Sequence, residues 1–162
     1  MKRKNSYLQT IIAVTAFSIL LMTFGCKKSS SPGTSSSGLT GSFSGTVFQP
    51  SLVVGLDQGS YLNVAGLQIK GTDSVGVLID FPDNVSVNSS LTFSQAEVIY
   101  NDSKGTFDFE SENTPSHGIV TVTSFDKTNL KVAGTYSGVI YDNNNDSVVI
   151  TNGTFNTAYT SF

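Results

Sequence analysis

Alternating carboxylates mark the segment TFDFESE, residues 106–112. Asp108, Glu110 and Glu112 fall on one side of an extended chain, opposite two phenylalanines. A pair of carboxyl groups, one holding a proton and the other ionised, is the chemistry of glycoside hydrolysis. The same alternation is typical of a half-buried strand with its rings inward and its charges in water, and we favour this second interpretation.

A second oxygen-rich pattern lies in the loop DNNNDS, residues 142–147. Asp142, Asn144 and Asp146 have the alternate spacing of the first ligands in a calcium-binding loop. A serine stands where such loops have a turn glycine, and a glycine stands where they have the final bidentate glutamate. Because Asn and Asp also suit hairpin turns, the pattern indicates either a weak calcium site or a metal-free turn. No other cofactor is expected.

Nucleophilic catalysis has few candidates in this sequence. His117 is the only histidine, and it stands in TPSHG, where turn residues precede a strand. No serine has the surroundings of a nucleophile elbow, and no triad partner can be named for the histidine. We therefore expect His117 to be an ordinary loop residue and the protein not to be an enzyme. A hydrolase that uses the carboxylates near residues 108–112 is the alternative.

The single cysteine, Cys26, ends an apolar N-terminal segment. Cationic residues at positions 2–4 precede an uncharged, mostly apolar run at 7–24, which is the plan of a secretory signal peptide. The sequence TFGC resembles a bacterial lipobox, in which the chain is cut after a small residue and the next cysteine is lipidated. We predict a signal peptide at 1–25 and acyl chains, palmitate among them, on Cys26. An uncleaved membrane anchor and ordinary secretion are the alternatives.

The remainder of the chain divides into a tether and one domain. We expect residues 26–38 to combine the lipidated cysteine with a flexible Ser- and Gly-rich tether, and residues 39–162 to form a β-domain. Four lysines and all twelve carboxylates of the chain lie in 39–162, so its formal net charge is −8. This charge and the absence of arginine disfavour nucleic acid and polyanions, whereas cationic partners are tolerated.

The β-domain has strand-like segments throughout and no helical stripe. This pattern predicts an antiparallel β-sandwich, with a closed β-barrel as the alternative. Val75, Val77, Ile79 and Phe81 are expected to share one buried face. The predicted strands are 42–48, 61–64, 67–70, 74–81, 96–101, 106–112, 118–125, 130–141 and 147–155.

Two segments of the β-domain repeat one pattern, GSFSGTVF at 41–48 and GTYSGVIY at 134–141. In each, the first aromatic residue and the aliphatic residue four positions later are expected to share a strand face. A duplicated half-domain is one interpretation. We favour the other, in which two strands meet the same packing demand.

The lipobox-led start and the ending HGIVTVTSFDKTNLKVAGTYSGVIYDNNNDSVVITNGTF resemble small all-β lipoproteins of Bacteroidetes-type bacteria. The resemblance implies a cell-envelope lipoprotein with an antiparallel β-domain and brings no catalytic residues. DSV at 73–75 and at 146–148 is similar to the O-glycosylation site that such bacteria use, which would place sugar on Ser74 and Ser147. A turn that enters a strand also explains both matches.

These features together predict a lipid-anchored envelope protein whose β-domain binds a partner protein or a glycan. A purely structural envelope component is a further alternative. Lys follows Cys26, rather than the Asp associated with inner-membrane retention, and no acidic run associated with surface export is present. We therefore expect the outer membrane, facing the periplasm. Five tyrosines could stack on sugars, namely Tyr61, Tyr100, Tyr136, Tyr141 and Tyr159.

Overall fold

The computed structural model describes residues 38–102 and 108–161, and these residues form eleven β-strands and no helix. The predicted signal peptide, Cys26 and the tether up to residue 37 lie outside the described residues. The strands are β1 (Gly38–Phe43), β2 (Thr46–Phe48), β3 (Leu52–Asp57), β4 (Tyr61–Lys70), β5 (Asp73–Pro82), β6 (Ser90–Thr92), β7 (Glu97–Asp102), β8 (Asp108–Glu110), β9 (His117–Asp126), β10 (Lys131–Tyr141) and β11 (Ser147–Ser161). Nothing helical in this part of the chain has the length and apolarity to span a membrane.

The strands form one mixed sheet that folds into two layers. The six-stranded layer has the order β2-β1-β11-β10-β9-β6, and the five-stranded layer has the order β3-β4-β5-β7-β8. The layers are hydrogen-bonded where β11 runs parallel to β3 and where Tyr141 of β10 pairs with Glu110 of β8. The predicted all-β, sandwich-like fold is confirmed, and the described strand pairs are antiparallel except for β11 with β3.

Aromatic contacts between the layers form the core. The Phe43 ring on β1 stacks on the Tyr100 ring of β7 at 4.6 Å, and Phe81 of β5 lies 5.7 Å from Phe155 of β11. Val77, Ile79 and Phe81 share the expected face of β5 and are at most 2% exposed, whereas Val75 on the same face is half-buried against the core. Because each buried aromatic side chain removes a large apolar area from water, these contacts stabilise the stacking of the two layers.

The last strand, β11, is six residues longer than predicted and contains a bulge. Asn152 has φ 54°, and the registers of β11 with β1 and β10 both shift beside it. Burial changes from even positions, such as Ile150, to odd positions, such as Phe155. One extra residue therefore keeps the inward side of a fifteen-residue strand facing the core.

The two repeated segments have different backbones, which corrects the prediction of one strand at 42–48. Ser44 and Gly45 have φ 46° and 84° and form a tight two-residue turn between β1 and β2. Val47 is therefore 56% exposed, whereas Phe43 is buried, so the two residues do not share a face. The second segment continues as β10, where Tyr136 and Ile140 are both buried as expected.

Candidate functional site

An aliphatic row crosses the outward side of the five-stranded layer. Val54 pairs with Ala65, Ala65 with Leu78, and Leu78 with Ile99, so the four side chains lie in line across β3, β4, β5 and β7. Their neighbours along each strand point into the core, so these four point outward. All four are half-buried. An outward side of an antiparallel layer is normally polar, which makes this row unusual.

More aliphatic side chains extend this apolar surface. Leu52 pairs with Leu67 beside the row, and Leu56 lies at its other margin on β3. Leu52 is 38% exposed, and Ile69 at the end of β4 is 58% exposed. The apolar surface therefore covers most of the outward side of β3 and β4.

The outward side of the six-stranded layer has a different chemistry. A line of hydroxyl side chains crosses five of its strands and is made of Thr40, Thr154, Thr135, Thr121 and Ser90. The hydroxyl oxygens at the two ends of this line are hydrogen-bonded, at 2.9 Å between Thr40 and Thr154 and at 3.0 Å between Ser90 and Thr121. Cross-strand pairs of this kind stabilise a solvated sheet. On this side the hydroxyl line takes the place of the aliphatic row, and the exposed large apolar side chains are Val47, Ile119 and Val149.

A carboxylate row, Asp80–Glu97–Glu112, runs beside the aliphatic row. Asp80 on β5 pairs directly with Glu97 on β7. On the other side of β7, Ile99 pairs with Glu110, and continuing this antiparallel register by two residues places Glu112 next to Glu97. Two hydrogen bonds support that extension, from the Ser111 N–H to the Val98 carbonyl oxygen and from the Val98 N–H to Ser111 Oγ. Like charges opposite each other on neighbouring strands are destabilising.

Burial and mutual repulsion change the acidity of this row. Burial, then the charges of Glu112, Asp80 and Glu110, raise the pKa of Glu97 to about 7. Burial also raises the pKa of Asp80 to about 6, although hydrogen bonds from the Asn63 side chain and the backbone of Phe81 act in the opposite direction. Both groups therefore hold protons at a pH where an ordinary carboxyl group is ionised.

A polar chain leads to Asp80 from the β3–β4 turn. Gln58 Nε2 donates to Asn63 Oδ1 at 2.6 Å, and this contact leaves the Asn63 amide nitrogen free to donate to Asp80. The Oδ1 atom of Asp80 is sealed from solvent and accepts no hydrogen bond. A buried acceptor without a donor is unfavourable, and an ionised carboxylate is the least favourable form of it.

The acidic site in the structure differs from the one that the sequence predicts at Asp108, Glu110 and Glu112. Glu110 and Glu112 lie near Asp80 and Glu97, two residues that the sequence pattern does not indicate. The side chain of Asp108 lies outside the described part of the chain. Alternation predicts that Asp80 faces outward, but the strand pairing that joins it to Glu97 is not visible in the sequence. A carboxyl group of raised pKa beside other carboxyl groups is an acid–base arrangement, and here it lies on the outward side of a layer.

The loop predicted to bind calcium is closed by its own hydrogen bonds. Asp142 is only 5% exposed, and its Oδ1 accepts from the backbone N–H groups of Asn144 and Asp146 at 2.9 and 2.8 Å. Its Oδ2 accepts from Asn144 Nδ2 at 3.2 Å. Across residues 38–102 and 108–161, His, Cys, Asp and Glu side chains form no group of three that could hold a metal ion. Calcium binding at this loop stays a prediction.

Replacing Asp142 with alanine is expected to destabilise the domain by about 2 kcal/mol, because hydrogen bonds to a charged acceptor contribute about 1.5–3 kcal/mol. Denaturant unfolding of the full-length protein, followed by circular dichroism, measures the change. Asn143→Ala, at an exposed position of the same loop, is the matched control and should change stability by less than about 0.5 kcal/mol. Equal losses in both variants would show that the carboxylate does not hold the loop.

The other predicted site residues do not come together. His117 is exposed and is the first residue of β9, with Nδ1 3.1 Å from the Pro115 carbonyl oxygen. Ser147 is exposed at the start of β11, whereas Ser74 is half-buried in β5. Sugar on either serine stays a prediction, and Ser147 has the more accessible hydroxyl.

Most of the tyrosines proposed for sugar stacking pack within the protein. Tyr136 is buried and donates its hydroxyl to the Thr40 carbonyl oxygen at 2.9 Å, and Tyr159 packs edge-on against Phe125. Tyr100 stacks on a core ring and Tyr141 is half-buried. Tyr61, at 50% exposure, is the tyrosine of this group with the most accessible ring.

No protein-family model, curated protein or solved structure matches this chain. The features of this chain that bear on its function are the lipobox-like N-terminus, the acidic charge, and the outward side of the five-stranded layer.

Proposed function

We propose that this protein is a lipid-anchored envelope protein whose β-domain is a non-enzymatic binding module for a partner protein. The observation that most supports this is the aliphatic row on an outward side where polar side chains are usual. Apolar surface that stays in contact with water is unfavourable, and contiguous patches of it often mark interaction sites. The binding surface is the outward side of β3, β4, β5 and β7.

A protein fits this surface better than a glycan does. Sugars are usually held by exposed aromatic rings and planar polar groups, whereas Val54, Leu78 and Ile99 offer branched aliphatic groups. Most of the candidate tyrosines are occupied in packing. Aliphatic surface matches the apolar side chains of another polypeptide.

The anchor in this proposal is a lipid on Cys26, and the membrane is the outer membrane with the domain facing the periplasm. About 0.8 kcal/mol per buried methylene makes attachment by several acyl chains close to permanent. The Ser- and Gly-rich composition of residues 27–38 is typical of linkers for which twelve residues give a root-mean-square span of about 20 Å, so this proposal would keep the domain close to the bilayer. The module would therefore meet partners within the envelope.

Substitution of Cys26 by alanine tests the anchor. We expect the variant to incorporate no radiolabelled palmitate and to accumulate as uncleaved precursor, because the modified thiol is absent and cleavage follows lipidation. Gel mobility, labelling and membrane fractionation of the expressed full chain measure these effects. Ser35→Ala, in the tether, should be labelled and processed like the wild type. A cleaved, membrane-retained form of Cys26→Ala would refute lipid anchoring.

A hydrolase that uses the carboxylate row is the second candidate, since the pKa of Glu97 near 7 beside Glu110 and Glu112 suits acid–base chemistry. It makes a distinct prediction, namely turnover of envelope polysaccharide that is lost in Glu97→Gln. The binding module predicts no turnover by either form. Reducing-end assays on purified wild-type and variant protein separate the two candidates.

A further inference from the structure

We propose that the outward side of the five-stranded layer docks a basic segment of a partner protein, its apolar side chains on the aliphatic row and its cations beside the carboxylate row. This inference rests on the proposed binding function and specifies the partner's chemistry. It follows from the aliphatic row and the carboxylate row beside it, from the negative charge of the carboxylate row, and from the apolar surface of β3 and β4.

The geometry of the two rows defines what can bind. Leu78 and Asp80 are two residues apart on β5, as are Ile99 and Glu97 on β7, so the rows are separated by about 6.7 Å. Three strand spacings of about 4.8 Å make the aliphatic row about 14 Å long. A partner segment therefore needs an apolar stripe of about this length with cationic groups along one margin.

The charge of this surface selects a basic partner. Carboxylates lie on β5, β7, β8 and just beyond it, on the same side as the apolar surface, and residues 39–162 carry a formal net charge of −8. A cation beside Glu97 would offset the repulsion from Asp80 and Glu112. A second copy of this chain would bring like charges into one interface, and anionic headgroups would be repelled.

Docking should also depend on pH, because the pKa values of Asp80 and Glu97, about 6 and about 7, are higher than those of ordinary carboxyl groups. Asp80 faces Asn63 on β4 and Glu97 on β7, and Glu97 also faces Glu110 and Glu112. A cation binds the ionised forms of Asp80 and Glu97 more tightly than the protonated forms. Protonation of both carboxyl groups at low pH therefore weakens cation binding. Affinity is therefore higher at pH 8 than at pH 5.

The test uses the full-length lipidated protein in nanodiscs of zwitterionic lipid, with empty nanodiscs subtracted. The probe is an 18-residue amphipathic Leu/Lys peptide, and the matched Leu/Glu peptide has the same apolar side with the opposite charge. Fluorescence anisotropy measures binding to the wild type, Leu78→Gln, Glu97→Gln and Val149→Gln. Val149 is 46% exposed on the outward side of the six-stranded layer and serves as the control position.

We expect the Leu/Lys peptide to bind the wild type and Val149→Gln equally. Leu78→Gln and Glu97→Gln should each bind about tenfold more weakly, which corresponds to about 1.4 kcal/mol. Binding should weaken at 0.5 M NaCl and at pH 5. Unfolding midpoints of all variants, measured in parallel, separate lost docking from lost folding.

Three outcomes would overturn the inference. The first is binding of the Leu/Glu peptide as tight as that of the Leu/Lys peptide, and the second is a loss of affinity in Val149→Gln equal to that in Leu78→Gln. The third is self-association of the wild type that Leu78→Gln abolishes, because the partner would then be a second copy of this chain. Palmitate labelling of Cys26 is scored on the same preparations. Failed docking with intact labelling rejects this inference alone, whereas absent labelling rejects the proposed anchor.

Discussion

Replacing Gly134 with alanine is expected to destabilise the β-domain by about 3 kcal/mol or more and to prevent folding at moderate temperature. A methyl carbon at this position in β10 would overlap the Phe155 ring and the Thr121 carbonyl oxygen. The carbonyl belongs to the backbone of β9, which is paired with β10 on both sides of this point. It cannot move away without breaking part of that ladder.

The Phe155 ring cannot yield to the new methyl group either. It lies between β10 and the opposite layer, where it contacts Phe81 at 5.7 Å, and it is 1% exposed. Core packing at this density leaves no alternative rotamer without displacing other side chains. Glycine at 134 is therefore required by the close approach of ring and backbone.

Gly76→Ala is the matched control for this prediction. Gly76 also lies within a strand, β5, but the nearest atom to a new methyl group there is Asn101 Cβ at 3.9 Å, an ordinary contact. Its substitution should be neutral or stabilising by up to about 1 kcal/mol, because alanine restricts the unfolded chain. Guanidinium titrations of both full-length variants give the comparison. Similar stability of Gly134→Ala and Gly76→Ala would contradict the packing explanation.

Local pattern is sufficient to predict much of this fold. The alternation in β5 identifies its buried residues, and the Asp- and Asn-rich segments identify most of the turns, because both signals depend on neighbours within a few residues. The segment at 41–48 reads as one strand in the sequence but is not one, because one Ser-Gly pair adopts positive φ angles and reverses the chain. β3 has no alternating pattern that would predict it, because its inward and outward residues are both aliphatic.

The candidate site depends on pairing between distant strands, and local pattern does not contain it. Asp80 and Glu97 belong to segments that are separate in the sequence, and only the antiparallel register of β5 and β7 makes them neighbours. The aliphatic row likewise takes one residue from each of four strands. One outward aliphatic residue in a strand is common and predicts nothing. Four such residues form a continuous apolar surface only after the pairing of the four strands brings them into line.

The carboxylate row should make the domain less stable as the pH rises from about 4 to about 8. Folding raises the pKa of Asp80 from 3.8 to about 6 and that of Glu97 from 4.5 to about 7. Between the unfolded and folded values the folded chain binds more protons, so its stability falls as the pH rises. One pKa unit corresponds to about 1.4 kcal/mol, and allowance for solvent screening of these half-buried groups leaves a combined loss of about 3 kcal/mol.

Glu97→Gln isolates the contribution of this row from that of the other carboxylates. Glutamine keeps the shape of the side chain and carries no charge, so the variant should be about 1–2 kcal/mol more stable than the wild type at pH 8. At pH 4, where Glu97 is protonated in the folded protein, the two should be nearly equal. Urea unfolding of the full-length proteins at both pH values measures the difference.

Asp73→Asn controls for the removal of one negative charge elsewhere on β5. Asp73 is exposed at the start of that strand, so its substitution should leave the fall in stability between pH 4 and pH 8 almost unchanged. The larger effect of Glu97→Gln then reports burial and the adjacent charges of Asp80 and Glu112, since net charge changes equally in both variants. If Glu97→Gln kept the full wild-type dependence on pH, the carboxyl group with the raised pKa would have to lie elsewhere in the domain, and the cation-binding role of the row would lose its physical basis.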